Sequence, residues 1–243
     1  MPAPSPAPRR SARDLMPNIA WLVHLYTAAG AVLAFLATTA ILADDYRHAF
    51  LYLFWAVIVD GSDGWLARRA RVSERVPRID GRTLDDVVDY ATFVFVPVVL
   101  LWRAHLVPDS ISVVVLSGVL TASSFGFAHT DAKTSDHFFT GFPSYWNIVA
   151  FYLYAGSLRP VWNTAILCVL SMLVFVPIRY VYPSRTPTLL KVTVALCTVW
   201  GAGLLWMISI LPTVSRRWLG LSLAFPVYYT VLSLILSRRP RRP

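Results

Sequence analysis

Seven of the chain's 13 acidic residues fall between positions 60 and 89: Asp60, Asp63, Glu74, Asp80, Asp85, Asp86 and Asp89. Asp60 and Asp63 close one apolar stretch, VIVDGSDGWLARRA. Asp85 and Asp89 open the next, GRTLDDVVDYATFVFVP. Spacings of three and four residues put each pair on one face of a helix. Two consecutive helices with a short connection pack antiparallel, so the four carboxylates are expected to converge. Such a cluster repels itself unless it is protonated or holds cations. All-oxygen ligation suits hard divalent ions such as Mg²⁺ or Mn²⁺. Two such ions would clamp a diphosphate for an in-line displacement. The competing reading is an intramembrane ion pair, or a proton or cation path in a transporter, because acids at membrane depth serve that role too.

The neighbours of the acids are small. Gly61, Gly64, Ala67 and Gly81 would let a helix or a flat nucleobase come close to the backbone. Arg68 lies one turn beyond Gly64 and could pair with a phosphate oxygen.

The elements that must carry these residues are apolar. Of 243 residues, 56% are hydrophobic and only 14% charged, against about 25% charged in a soluble domain. Mean hydropathy is +0.57. That composition argues against a soluble enzyme, a disordered regulator and a nucleic-acid binder, despite the net charge of +9. Apolar runs cover about 20–43, 49–67, 87–105, 110–128, 145–158, 161–181, 189–211 and 218–236. Most approach the roughly 20 residues needed to cross the hydrocarbon core. Backbone groups in lipid must be satisfied internally. The expected fold is therefore an all-α polytopic bundle of about eight transmembrane helices, with six or seven as alternatives because run five is short. The first run is longer than the apolar part of a signal peptide, so it is read as a retained span.

Seventeen of the 22 Lys and Arg residues fall on one side of this eight-span scheme. The positive-inside rule then puts both termini in the cytoplasm. Residues 1–18 read as a disordered basic tail, 19–237 as one transmembrane domain, and 238–243 as a second basic tail suited to anionic lipid. Cys168 and Cys197 lie in apolar runs without metal-binding spacing, which disfavours a disulfide framework and a zinc site. His24 and His129 read as packing or helix-end residues rather than metal ligands.

Written as a string, the acids and their neighbours are Asp60-x2-Asp63-Gly64-x2-Ala67-Arg68-x12-Gly81-x3-Asp85-x3-Asp89. This resembles the signature of the CDP-alcohol phosphotransferase family, at all eight positions and in order. The spacer between Arg68 and Gly81 is twelve residues, where most members have about eight. The long spacer, HLYTAAG at 24–30, PRIDGRTLDDVVDYATFVFVP and AKTSDHFFTGFPSYWNIVAFYLY are similar to the bacterial branch that joins CDP-diacylglycerol and choline into phosphatidylcholine and CMP. The likeness covers nearly the whole chain apart from the Arg-rich tails.

The resemblance implies roles. Asp60, Asp63, Asp85 and Asp89 would ligate two Mn²⁺ or Mg²⁺ ions, with Asp89 also the catalytic general base. Gly64, Ala67, Arg68 and Gly81 would contact the CMP part of the donor. Asp80 and Asp86 match no functional position. The implied setting is a bacterial inner membrane with the site facing the cytoplasm, and homodimers are common in the family. Glycerol 3-phosphate, inositol phosphate and serine are rival acceptors. A choline ammonium is held by aromatic faces, with or without a carboxylate. Tyr90, Phe93, Tyr145, Trp146, Asp131 and Asp136 are the candidates here, although aromatics near 138–146 would also serve as an interfacial belt.

Overall fold

The computed structural model describes residues 12–129, 138–183 and 186–238. Its helices are α1 Ala12–Leu42, α2 Tyr46–Ala70, α3 Val72–Arg75, α4 Gly81–Asp89, α5 Val96–Arg103, α6 Asp109–Ala128, α7 Trp146–Gly156, α8 Pro160–Leu173, α9 Leu190–Ser209, α10 Arg216–Ser222 and α11 Ala224–Ser237. A π-helical turn, Tyr90–Phe95, joins α4 to α5. Two short strands, β1 Phe138–Thr140 and β2 Arg179–Val181, pair antiparallel with Phe138 opposite Val181.

Each of the eight apolar runs contains a helix. Five helical units are long and apolar enough to cross a membrane: Ile19–Leu42, Tyr46–Ala70, Asp109–Ala128, Leu190–Ser209 and Arg216–Ser237. Large apolar side chains stay exposed along them, among them Leu25, Phe35, Val114, Val199 and Leu221. Such an outward apolar surface is what lipid requires and water penalises. The protein is an integral membrane protein of helical class.

Two sequence expectations change. α1 starts at Ala12, within the stretch 1–18 read as an unstructured tail. Ala12, Arg13, Leu15 and Met16 have high helix propensity. Residues 1–11 and 239–243 lie outside the described residues. The run 161–181 is not one helix: α8 ends at Leu173 and Arg179–Val181 is a strand. Pro177 accounts for part of this break, since it lacks an N–H and disfavours helical backbone in the residue before it. Run five yields α7 of 11 residues, a helix of roughly 16 Å, about half the hydrocarbon thickness.

Lipid tails are as apolar as Leu, so helices in a membrane associate by close packing and hydrogen bonds rather than hydrophobicity. α1 and α2 follow that rule. Ala34, Ala37, Ala40 and Ile41 of α1 join Ala49, Phe50 and Leu53 of α2 in the main core, with Val96, Leu100, Leu101, Trp146 and Phe151. Toward the other end of the pair, Ala20 and Val23 pack with Ala70, Val72 and Val76. The acid-bearing turn of α2 lies between these two clusters. The turn joining α1 to α2 is held by Asp44, which accepts from Arg103 at 2.6 Å and from the Tyr46 hydroxyl at 2.9 Å.

α4 packs on α1 through a glycine. A Cβ at Gly30 would overlap the Val88 Cγ1 methyl. Valine is stiff at χ1, so the methyl cannot swing clear cheaply. In an ordinary helix interior Gly→Ala stabilises by roughly 0.5–1 kcal/mol. Here the sign should reverse: Gly30→Ala should cost about 1–3 kcal/mol by overpacking, read as a lower unfolding midpoint in detergent. Val88→Ala in the same chain should restore most of it.

Candidate active site

The carboxylates come from two helices that α1 holds in place. Asp60 lies just past the middle of α2; Asp85 and Asp89 lie one turn apart on α4. Each of the three offers an oxygen, and these oxygens all lie within 4.8 Å of one another. All three residues are half-buried. Three carboxylates that close, partly withdrawn from water, favour a cation or a proton between them.

α1 sets the register. Thr27 Oγ1 donates to Asp63 Oδ2 at 2.8 Å, and Tyr26 and Ser62 share a hydroxyl hydrogen bond of 2.8 Å. Asp63 is buried, 6% exposed. It stands outside the three-oxygen group, one turn along α2, with its side chain turned to α1. α4 is fixed at both ends. Asp80 caps its start, accepting from the Thr83 hydroxyl at 3.0 Å and from the N–H groups of Arg82 at 2.9 Å and Thr83 at 3.4 Å. The Thr83 hydroxyl, then those N–H groups, hold the Asp80 carboxyl below the usual carboxylate range. At its far end α4 opens into the π-helical turn directly after Asp89. Pro97, at the start of α5, cannot donate, and its ring crowds the carbonyl four residues back; the wider turn accommodates this.

The remaining predicted residues divide. Gly64 and Ala67 are partly buried and Arg68 is exposed; Ala67 packs against the Ala20, Val23, Val72 and Val76 cluster. Gly81 faces His24: a Cβ there would lie 3.3 Å from His24 Cε1. The Tyr90 hydroxyl donates to Leu120 O at 3.2 Å and pairs with Ser124 Oγ at 3.0 Å, so it is turned to α6. Trp146 is fully buried, and its indole N–H donates to Ser123 Oγ at 2.7 Å. It ties α7 to α6 from inside the core rather than from an interfacial belt. Phe93 is buried against Tyr145, ring centroids 5.9 Å apart. Asp131 and Asp136 lie outside the described residues.

Tyr145 lies at the site. Asp60, Asp89, Tyr229 and Tyr182 all lie within electrostatic reach of its hydroxyl. Tyr182 and Tyr229 come from distant sequence, Tyr182 directly after β2 and Tyr229 on α11. The N–H of Val181 donates to Ser233 Oγ at 3.0 Å and that of Arg179 to Ser237 Oγ at 3.0 Å, which docks β2 on α11.

A family model described as CDP-alcohol phosphatidyltransferase matches residues 16–225. The chain belongs to the CDP-alcohol phosphatidyltransferase family. Membership makes it a transferase of substituted phosphate groups. Among its curated relatives in the family are proteins named phosphatidylcholine synthase. That of Legionella pneumophila is 35% identical over 91% of this chain and 89% of its own. That of Pseudomonas aeruginosa is 36% identical over 90% and 92%, and that of Borreliella burgdorferi 30% over 92% and 96%.

The family generally uses divalent metals. The donor set fits: three hard anionic oxygens, from Asp60, Asp85 and Asp89, converge in one place. Sequence reasoning missed the α1 residues Tyr26, Thr27 and Gly30, the Asp80 cap, and Tyr182 and Tyr229. The signal for the first group was present in HLYTAAG, whose polar and small residues sit at helical spacing in an otherwise apolar span.

A buried carboxylate that loses a donor costs about 1–3 kcal/mol. Thr27→Val should destabilise the protein by that amount, and Thr27→Ser by much less, in denaturant unfolding of the purified protein.

Proposed function

We propose that the protein transfers the phosphatidyl group of CDP-diacylglycerol to choline, giving phosphatidylcholine and CMP. The observation that carries the reading is the convergence of Asp60, Asp85 and Asp89, whose oxygens lie within 4.8 Å of one another, with Tyr145 in electrostatic reach of Asp60 and Asp89. It supports a site for an anionic diphosphate next to one for an organic cation. The names of the relatives support the same pair of substrates.

A divalent ion such as Mn²⁺ or Mg²⁺, in two copies, would be held by Asp60, Asp85 and Asp89, with Asp63 contributing the oxygen that Thr27 does not bond, and would supply positive charge opposite the diphosphate. Gly64, Ala67, Arg68 and Gly81 contact the nucleotide part of the donor. Choline's hydroxyl is a weak nucleophile near neutral pH. Asp89 takes its proton as its oxygen attacks the phosphorus that carries diacylglycerol. The bond from that phosphorus to the bridging oxygen breaks, and CMP leaves with the electron pair. The trimethylammonium group donates no hydrogen bond, so aromatic faces and nearby negative charge hold it. Tyr145 supplies a face, backed by the buried Phe93, and Asp60 and Asp89 the charge. The lipid donor enters sideways from a bacterial inner membrane. The site faces the cytoplasm, where choline arrives and where both termini lie.

Membranes containing the protein, given CDP-diacylglycerol, Mn²⁺ and each candidate alcohol in turn, should form labelled lipid with choline and release CMP. EDTA should abolish this. Product with glycerol 3-phosphate, an inositol phosphate or serine alone would remove the choline assignment, and choline accumulating unchanged in vesicles would favour transport. Asp60→Asn and Asp85→Asn should lose orders of magnitude. Asp89→Asn should lose at least the roughly 10²–10⁴-fold typical of an absent acid–base group, while retaining CDP-diacylglycerol binding better than Asp63→Asn. Asp86→Asn should be far milder.

The ammonium site makes a separate prediction. Tyr145→Ala should raise KM for choline about tenfold or more, as expected for a lost, partly desolvated cation–π face. KM for CDP-diacylglycerol should change little, and Tyr145→Phe should keep most of the affinity.

A further inference from the structure

His24 is 6% exposed, and its Nε2 has no hydrogen-bond partner among the described residues. A buried ring nitrogen left unpaired is costly, so a native structure that keeps one calls for a reason. Its surroundings point to a ligand. The Cε1 edge of the ring lies against Gly81, the first residue of α4. Thr27, one turn further along the same face of α1, bonds Asp63, and Gly64 follows Asp63 directly. Val23, the residue before His24, packs in the cluster that includes Leu66 and Ala67 of α2. The imidazole therefore sits at the level where α2 and α4 present Gly64, Ala67 and Gly81.

We propose that His24 is a binding residue for the nucleotide half of the donor, with Nε2 hydrogen-bonded to the cytidine monophosphate moiety. This rests on the functional reading above. It also gives Gly81 a different task from a bare backbone approach to a nucleobase. The absence of a side chain at Gly81 is the room that the His24 ring occupies; a methyl there would press on Cε1 at 3.3 Å. A neutral imidazole offers one donor and one acceptor, so Nε2 suits either a phosphate oxygen or the polar edge of cytosine.

The test compares His24→Leu and His24→Gln with the wild type in CMP inhibition, KM for each substrate and ligand-free melting. In His24→Leu, the inhibition constant for CMP and KM for CDP-diacylglycerol should both rise about tenfold, the size of one buried hydrogen bond. KM for choline should stay within about twofold. The ligand-free melting temperature should hold or rise, because an unpaired buried polar group has been replaced by an apolar one of similar size. His24→Gln should recover part of the CMP affinity. UMP identifies the contact: a fall in the preference for CMP over UMP in His24→Leu places it on the base, and equal weakening places it on the phosphate. Both outcomes uphold the proposal. Unchanged CMP inhibition in an active His24→Leu enzyme overturns it while leaving the reaction intact. So does a loss of melting temperature in which the KM values of both substrates rise together, the mark of a packing residue. A wild-type protein that neither turns over choline nor binds CMP overturns the functional reading and this inference together.

Discussion

Asp63 is a carboxylate buried between two apolar helices, and the hydrogen bond it accepts from Thr27 is the contact on which the site depends. An acid in that position is costly unless something donates to it. Meeting the demand from α1 fixes the rotation and height of α2 against α1. Once α2 is fixed, Asp60 is placed one turn away. The glycine contact between Gly30 and Val88 performs the same task for α4 by shape instead of polarity. α1 contributes none of the three converging carboxylates, yet both acid-bearing helices take their position from it. Chemistry in the interior of a membrane protein is held by few polar bonds, because water is not there to substitute for a lost one.

The carboxylate pairs were legible in the sequence because helical spacing is local. Three and four residues apart means one face, whatever else the chain does. The positions of the apolar runs were legible for a similar reason: each contains a helix, set by composition over one stretch of chain. What the sequence did not disclose is which helix would stand behind the acids. Tyr26, Thr27 and Gly30 are ordinary residues for an apolar span until their partners Ser62, Asp63 and Val88 are known, and those pairings are tertiary. Tyr182 and Tyr229 were hidden more deeply, since they approach Tyr145 only after β2 docks on α11. Trp146 misled in the opposite direction. A Trp at the edge of an apolar run suggests the interface, but burial and the Ser123 bond put it in the core.

The breaks in the helices follow from single residues whose influence depends on context. Pro97 is absorbed as a π-helical turn because α5 continues beyond it into a well-packed core. Pro177 follows a helix that has already ended, and the chain beyond it pairs with β1 instead. The same residue type thus gives a bulge in one place and a strand in another. Asp80 shows the complementary case. It matches no position of the family signature, yet it caps the helix that carries two of the three converging acids. The long spacer before Gly81 is where that cap and α3 are built.

The docking of β2 on α11 through Ser233 and Ser237 has a consequence for how the molecule is made. The acids leave the ribosome early in synthesis, with α2 and α4. Tyr182 follows much later, and Tyr229 later still, on α11. In between, the nascent chain carries its acid cluster before Tyr182 and Tyr229 exist. A product cut off before α11 would keep the converging carboxylates of α2 and α4 but lose the helix on which β2 docks.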